Sequence, residues 1–231
     1  MIYGPLVLIS IVFAVVGWLL SARLKSVFAK YSRVATASGL NGAQVAQKML
    51  ADYGISGVRV LESRGGQLSD HYNPQDKTVN LSPDVYHGRS VSAAAVAAHE
   101  CGHAVQHAEA YAMLQLRSRL VPIVSISARL QQYLFMFGFV AVGLLNSDLF
   151  LLIAIAAFGV TALFSLITLP VEFDASKRAL AWLERSGSTV GIEQSGARTT
   201  LWWAAMTYVA AALAAVAQLL YLVFYFMGSR D

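Results

Sequence analysis

The segment His99-Glu100-Cys101-Gly102-His103 sets two imidazoles four residues apart, with a carboxylate beside the first. On a helix, positions i and i+4 share a face, so both rings can close on one ion. Zinc accepts such nitrogens at about 2.0–2.1 Å, and a glutamate next to the first histidine can reach a water held on the metal. Two ligands, one general base and one face describe metal-assisted hydrolysis.

That chemistry requires a helix. Ser92-Ala93-Ala94-Ala95-Val96-Ala97-Ala98 before the motif and Ala104-Val105-Gln106 after it are strong helix formers, so the reading places one helix over about residues 90–114. Ser90 or Ser92 supplies its N-cap. Two solvated histidines on a polar face would be the bland alternative. The flanks are apolar, however, and burying His, Glu and His without partners is expensive.

The rest of the chain is built for a bilayer. It is 57% hydrophobic and only 13% charged, against about 25% charged in an ordinary soluble domain. Residues 1–22, 130–147, 149–171 and 199–229 contain no Lys, Arg, Asp or Glu. Each reaches the ~18–20 apolar residues that cross a membrane. The expected architecture is mainly α: a polytopic membrane protein with about four transmembrane helices, at residues 1–22, 121–145, 149–169 and 201–227. A small cytosolic α+β, zincin-like region at 23–119 carries the H-E-x-x-H helix, and a second polar segment spans 170–200. Arg129, Gln131 and Gln132 crowd the second span. The first is read as a retained anchor, because it has no positive n-region and no good small-x-small cleavage site.

Charge distribution sets the orientation. Of 17 Lys and Arg, eleven lie within residues 23–119 and four within 177–198. Cytoplasmic loops carry the positive excess, so both polar segments are expected in the cytosol and both termini outside the cell membrane. The pI of 9.3 follows from this topology. No Lys/Arg block with interleaved aromatics points to nucleic acid. Cys101 is the single cysteine, which excludes an internal disulfide and a cysteine-ligated zinc site. Two residues from each histidine, it points off their face and reads as a small buried apolar side chain.

Between the first span and the motif, Ser38-Gly39-Leu40-Asn41-Gly42 breaks the chain. A short helix follows over about 43–52, with Gly54 as its stop. Residues 58–61 and 78–81 read as short strands flanking Arg64-Gly65-Gly66 and a polar turn, and Leu81-Ser82-Pro83-Asp84 starts a helical turn through Tyr86. One sheet edge near the metal helix is the candidate for holding an extended peptide by main-chain hydrogen bonds.

A catalytic zinc keeps about three protein ligands and one open position. His107, one turn past His103, cannot reach the same ion along a straight helix with its ~5.4 Å pitch. Glu172, in Pro170-Val171-Glu172-Phe173-Asp174 directly after the third span, lies on the same expected side and is the preferred third ligand. Asp84 and Glu109 are the alternatives, and Asp174 would fall on another face of a helix. If Glu172 binds, the metal lies close to the membrane surface.

Asp70-His71-Tyr72-Asn73-Pro74, the run from Val96 to His107, Thr168-Leu169-Pro170-Val171-Glu172-Phe173-Asp174-Ala175-Ser176 and Ala205-Met206-Thr207-Tyr208-Val209-Ala210-Ala211 occur in this order. Together they resemble the YugP-type neutral zinc metallopeptidases of bacterial membranes, over nearly the whole chain. The resemblance implies a multi-pass membrane protein, with His99, His103 and a downstream glutamate as zinc ligands and Glu100 as catalytic acid/base. More distantly, Glu172-Phe173-Asp174-Ala175 is similar to the E-F/Y-x-A-D of HtpX-like and CaaX-processing gluzincins. There a fifth-position aspartate supports a metal ligand; this chain has Ser176. Asn80 stands where the related sequences lead one to expect arginine.

The expectation is thus a zinc endopeptidase with one Zn2+ per chain: His99, His103 and Glu172 as ligands, Glu100 as base and acid. His71, Tyr72, His107 and Arg178 are the candidates to contact substrate or stabilise negative charge in the transition state. The partners are the lipid bilayer and a peptide or protein substrate, membrane-associated ones included. Two rival readings remain. An intramembrane zinc protease would have its metal inside the bilayer, but the motif helix carries many polar groups for a lipid-facing span. A non-catalytic assembly protein with structural zinc would have no need of Glu100.

Overall fold

The computed structural model describes residues 3–66, 69–138 and 148–228. In order, the elements are α1 (Tyr3–Tyr31), α2 (Gly42–Asp52), β1 (Arg59–Glu62), β2 (His71–Asn73), β3 (Thr78–Leu81), α3 (Pro83–Tyr86), α4 (Val91–Ala108), α5 (Ala112–Gly138), α6 (Asp148–Arg185) and α7 (Ile192–Gly228). The protein is mainly helical and divides into two compact units. One is drawn from Met1–Leu20, Leu116–Leu169 and Thr207–Asp231, the other from Ser21–Gln115 and Pro170–Met206.

In the first unit, parts of α1, α5, α6 and α7 pack through Leu6, Leu151, Ala154, Phe158 and Leu222. Polar side chains tie helix to helix. Gln131 Nε2 donates to Ala157 O at 2.9 Å and Thr161 Oγ1 at 2.7 Å, and Gln218 Nε2 donates to Ser10 Oγ at 2.9 Å. Such bonds suit apolar surroundings, where helices gain little from hydrophobic contact alone. Leu8, Ile11, Val15, Leu163, Leu166, Leu213 and Phe224 point outward. Exposed apolar faces of this extent on long helices are what lipid would cover.

Among the described residues, three helices are long and apolar enough to cross a membrane: Gly4–Tyr31, Leu149–Arg185 and Ile192–Gly228. The second of the four expected spans falls on α5, which starts at Ala112 and carries Arg117, Arg119 and Arg129. The end of that expected span, residues 139–145, lies outside the described residues.

The second unit holds the sheet and α4. Its core joins Val45, Met49, Val79, Leu81, Val85, Trp182, Leu183 and Leu201 to the alanine face of α4. α4 is buried almost all round, which its alanines permit: small side chains let neighbouring helices close in. Ser90 is the N-cap, its Oγ accepting from the Ala93 N–H at 3.3 Å, while Ser92 Oγ donates to Phe28 O.

α4 ends at Ala108, short of the expected residue 114. The Ala110 N–H bonds His107 O, the Tyr111 N–H bonds Gln106 O, and Ala110 sits at φ 53°. This is a Schellman termination, with alanine at the left-handed position usually given to glycine. α2 terminates in the same way at Gly54, as expected.

The sheet has three strands in the order β1-β3-β2. β1 runs parallel to β3, with Arg59 opposite Thr78, and begins one residue later than expected. β2 runs antiparallel to β3, with Tyr72 opposite Val79. The sequence reading took β2's surroundings as turn. The turn is real but shorter, closing at Lys77 with φ 51° and leaving His71–Asn73 free to pair.

Candidate metal centre

α4 presents His99 and His103 one turn apart, their ring centroids separated by 4.8 Å and their planes nearly perpendicular. α6 lies against them. Glu172 Oε2 is 3.3 Å from His99 Nε2 and 3.6 Å from His103 Nε2. One ligand atom from each of the three side chains falls within 4.8 Å of the others. Glu172 is 2% exposed and His103 7%.

Why α6 comes so close is written in one residue. A Cβ on Gly102 would stand 2.6 Å from Ala175 O and 3.1 Å from its carbonyl carbon, both backbone atoms. Glycine inside the motif therefore sets the spacing of the two helices. That spacing in turn places the carboxylate of Glu172, one turn before Ala175, at the rings.

The histidines are oriented from behind. Gln106 Nε2 donates to Val171 O and to Asp174 Oδ2, both at 2.8 Å, so its Oε1 is left as an acceptor. That oxygen lies 3.0 Å from His103 Nδ1. Gln106 thereby holds a proton on His103 Nδ1, so that when the ring is neutral its lone pair is on Nε2, the nitrogen on the side of Glu172. Ser176 Oγ lies 3.1 Å from His99 Nδ1 and can accept a hydrogen bond from its N–H in the same manner. Burial opposes the charged form of His103, but the hydrogen bond and negative charge of Glu172 outweigh it and hold the pKa above the ordinary histidine value. Two imidazole nitrogens and a carboxylate oxygen, converging and backed by second hydrogen bonds, form a donor set of the kind that zinc accepts. The residues fit a metal ion.

Glu100, next to His99, is 8% exposed. Its Oε2 accepts the Tyr72 backbone N–H at 2.9 Å, linking the general-base candidate to the outer edge of β2. The phenol of Tyr72 lies 2.7 Å from His107 Nδ1. Tyr72, Glu100 and His107 are thus gathered together.

The other candidates are engaged elsewhere. His71 Nδ1 meets Ser69 O at 2.9 Å. Arg178 is held by Asp174 at 2.5 Å and Glu109 at 2.6 Å. Glu109, an alternative third ligand, is committed to that pair, and Asp84 opens α3. Asn80 Nδ2 bonds Thr78 Oγ1 on its own strand. Cys101 is fully buried with Sγ 3.5 Å from Ala46 O, and burial pushes its thiol pKa up, away from reactivity. The sequence reading assigned no role to Gln106, Gly102 or Asp174. Gln106 lies at i+3 from His103, a spacing that could have flagged it.

The family described as "Putative neutral zinc metallopeptidase" matches residues 6–227. This chain belongs to that family. A relative in Bacillus subtilis (strain 168), "Putative membrane protease YugP", is 43% identical over 209 residues, covering 90% of this chain and 91% of its own. No solved structure matches. The outward apolar helices and this kinship together make it a membrane protein of a zinc metallopeptidase family.

Proposed function

We propose that this protein is a zinc-dependent endopeptidase that cleaves peptide bonds near the cytosolic membrane surface. The observation that carries the reading is the convergence of His99, His103 and Glu172, from two helices, beside a buried Glu100. His99 Nε2, His103 Nε2 and a Glu172 oxygen would hold one zinc ion. Bound there, zinc supplies a Lewis acid and lowers the pKa of water towards about 7.

The chain's own residues do the rest. Glu100 takes the proton of the attacking water and passes it to the leaving amine nitrogen as the C–N bond breaks. Gln106 and Ser176 keep the two rings turned toward the metal. An extended substrate pairs along the outer edge of β2, bringing its carbonyl to Glu100, which already bonds that edge. The Tyr72–His107 pair, tied to Glu100 through the Tyr72 backbone, is the candidate donor for negative charge on the carbonyl oxygen. The excess of basic residues in the polar segments supports a cytosolic catalytic region with both termini outside.

Purified protein loaded with zinc is the test. Glu100→Gln is expected to keep stoichiometric zinc and lose at least about a hundredfold in peptide turnover. A Glu100→Gln protein that cleaves peptides at the wild-type rate would overturn the assignment.

A further inference from the structure

A groove of about 680 Å³ lies between α6 and α7 within the second unit. Phe173, Lys177, Leu180 and Glu184 recur at spacings of four, three and four along α6, forming one wall. Arg198, Trp202 and Ala205 line the other wall along α7. The groove is apolar along Phe173, Leu180, Trp202 and Ala205. Its charged groups are two cations, Lys177 and Arg198, and one carboxylate, Glu184.

The cations stand out against their neighbours. Arg178, next in sequence to Lys177, is clasped by Asp174 and Glu109. Lys177 and Arg198 are exposed, and among the described residues neither has an ion-pair partner. Both also border apolar sequence. The charge-free run 149–171 ends six residues before Lys177, and the run 199–229 begins directly after Arg198. Trp202, 55% exposed, is the residue type enriched at headgroup depth.

We propose that this groove is a binding site for one phospholipid. Its phosphodiester is met by Lys177 and Arg198, and an acyl chain runs along Phe173, Trp202 and Ala205. Two cations against one carboxylate leave a single positive charge, which complements a headgroup with one negative charge. A free phosphate would use the cations but gain nothing from the apolar walls; a phospholipid uses both. The proposal does not depend on peptide hydrolysis.

The full chain, delipidated in dodecyl maltoside and titrated with phosphatidylglycerol, tests this by native mass spectrometry. A single-lipid adduct is expected. The double variant Lys177→Glu/Arg198→Glu should weaken it at least about tenfold, since it reverses both charges that meet the phosphodiester. Lys177→Arg/Arg198→Lys should retain it, as should the control Lys25→Glu/Arg33→Glu, two residues that do not line the groove. Because all four positions are solvent-facing, unchanged circular dichroism is expected, and Lys177→Gln and Arg198→Gln singly serve if the reversal misfolds. Phosphatidylglycerol brominated on its acyl chain should quench tryptophan emission, and Trp202→Phe should remove a discrete part of that quenching. Failure of wild type to bind, equal loss in the control pair, or displacement by millimolar inorganic phosphate or by peptide would each overturn the proposal.

Discussion

At the scale of single residues, the centre depends on which nitrogen of each imidazole carries the proton. Gln106 is the device for His103. Its amide nitrogen is committed to two acceptors, so its oxygen can only accept. Gln106→Leu keeps the bulk, lets the ring turn, and leaves the buried Val171 carbonyl and Asp174 carboxylate without that donor. Zinc affinity should fall about 10–100-fold, as for other groups that orient metal ligands, measured by competition with a chromophoric chelator. The raised pKa of His103 gives the pH sign. In the metal-free protein, the protonated ring pairs with Glu172. That pairing adds stability that is fully present below the ordinary histidine value and is lost as pH rises through the raised one. Zinc needs the neutral ring, so apparent affinity should keep rising with pH beyond the ordinary histidine range before it levels off. Glu172→Gln removes the main cause of the shift and should bring the levelling point down while weakening zinc overall. An affinity flat across that range in wild type would contradict this electrostatic account.

At the scale of elements, the lesson lies in what marks an ending. Asn41 and Gln44 form a capping box, and Gly54 takes the left-handed position that closes α2, so that helix was legible to within a residue. α4 closes by the same hydrogen bonds, but on Ala110, and a sequence reading that looks for glycine runs straight through it. β2 was missed for a different reason. Three residues give no alternation to detect, and the strand exists because β3 is there to pair with it. The convergence of His99, His103 and Glu172, by contrast, was readable: the helical spacing of the histidines is local, and Glu172 was among few acidic residues after an apolar run. The role of Gly102 was not, because it is a statement about Ala175 on another helix. Gly102→Ala therefore sets two effects against each other. Alanine favours the helix by about 1 kcal/mol, whereas overpacking against fixed backbone costs about 1–3 kcal/mol. The clash should win, lowering the thermal midpoint and weakening zinc by separating α6 from α4. A variant that melts higher and holds zinc as tightly would show that the helix spacing is not set here.

At the scale of the whole molecule, topology is carried by charge placement rather than by any one contact. Three long apolar helices are evident in both the sequence and the structure. The fourth expected crossing was harder to read, because α5 mixes apolar residues with Arg117, Arg119 and Arg129, and the charge-free part of that crossing extends past the described residues. His99 and His103 meet Glu172, so an even number of crossings must separate residues 23–119 from residues 170–200. With four, residues 23–119 and 170–200 would share the cytosol and both termini the outside; with three, α6 would carry Glu172 to the side opposite His99 and His103, splitting the cluster that the structure brings together. Labelling can separate these cases. In a Cys101→Ala background, Arg64→Cys reports the region between the first crossing and the motif, and Met227→Cys reports the end of α7; both native side chains are exposed. A membrane-impermeant maleimide applied to intact cells should label Met227→Cys and spare Arg64→Cys, with both labelled once the membrane is opened. If both are spared on intact cells, the C-terminal end of α7 lies inside with residues 23–119, and the four-crossing reading fails. If Arg64→Cys is labelled from outside, residues 23–119 face the other compartment, and the basic residues of the polar segments need another explanation than topology.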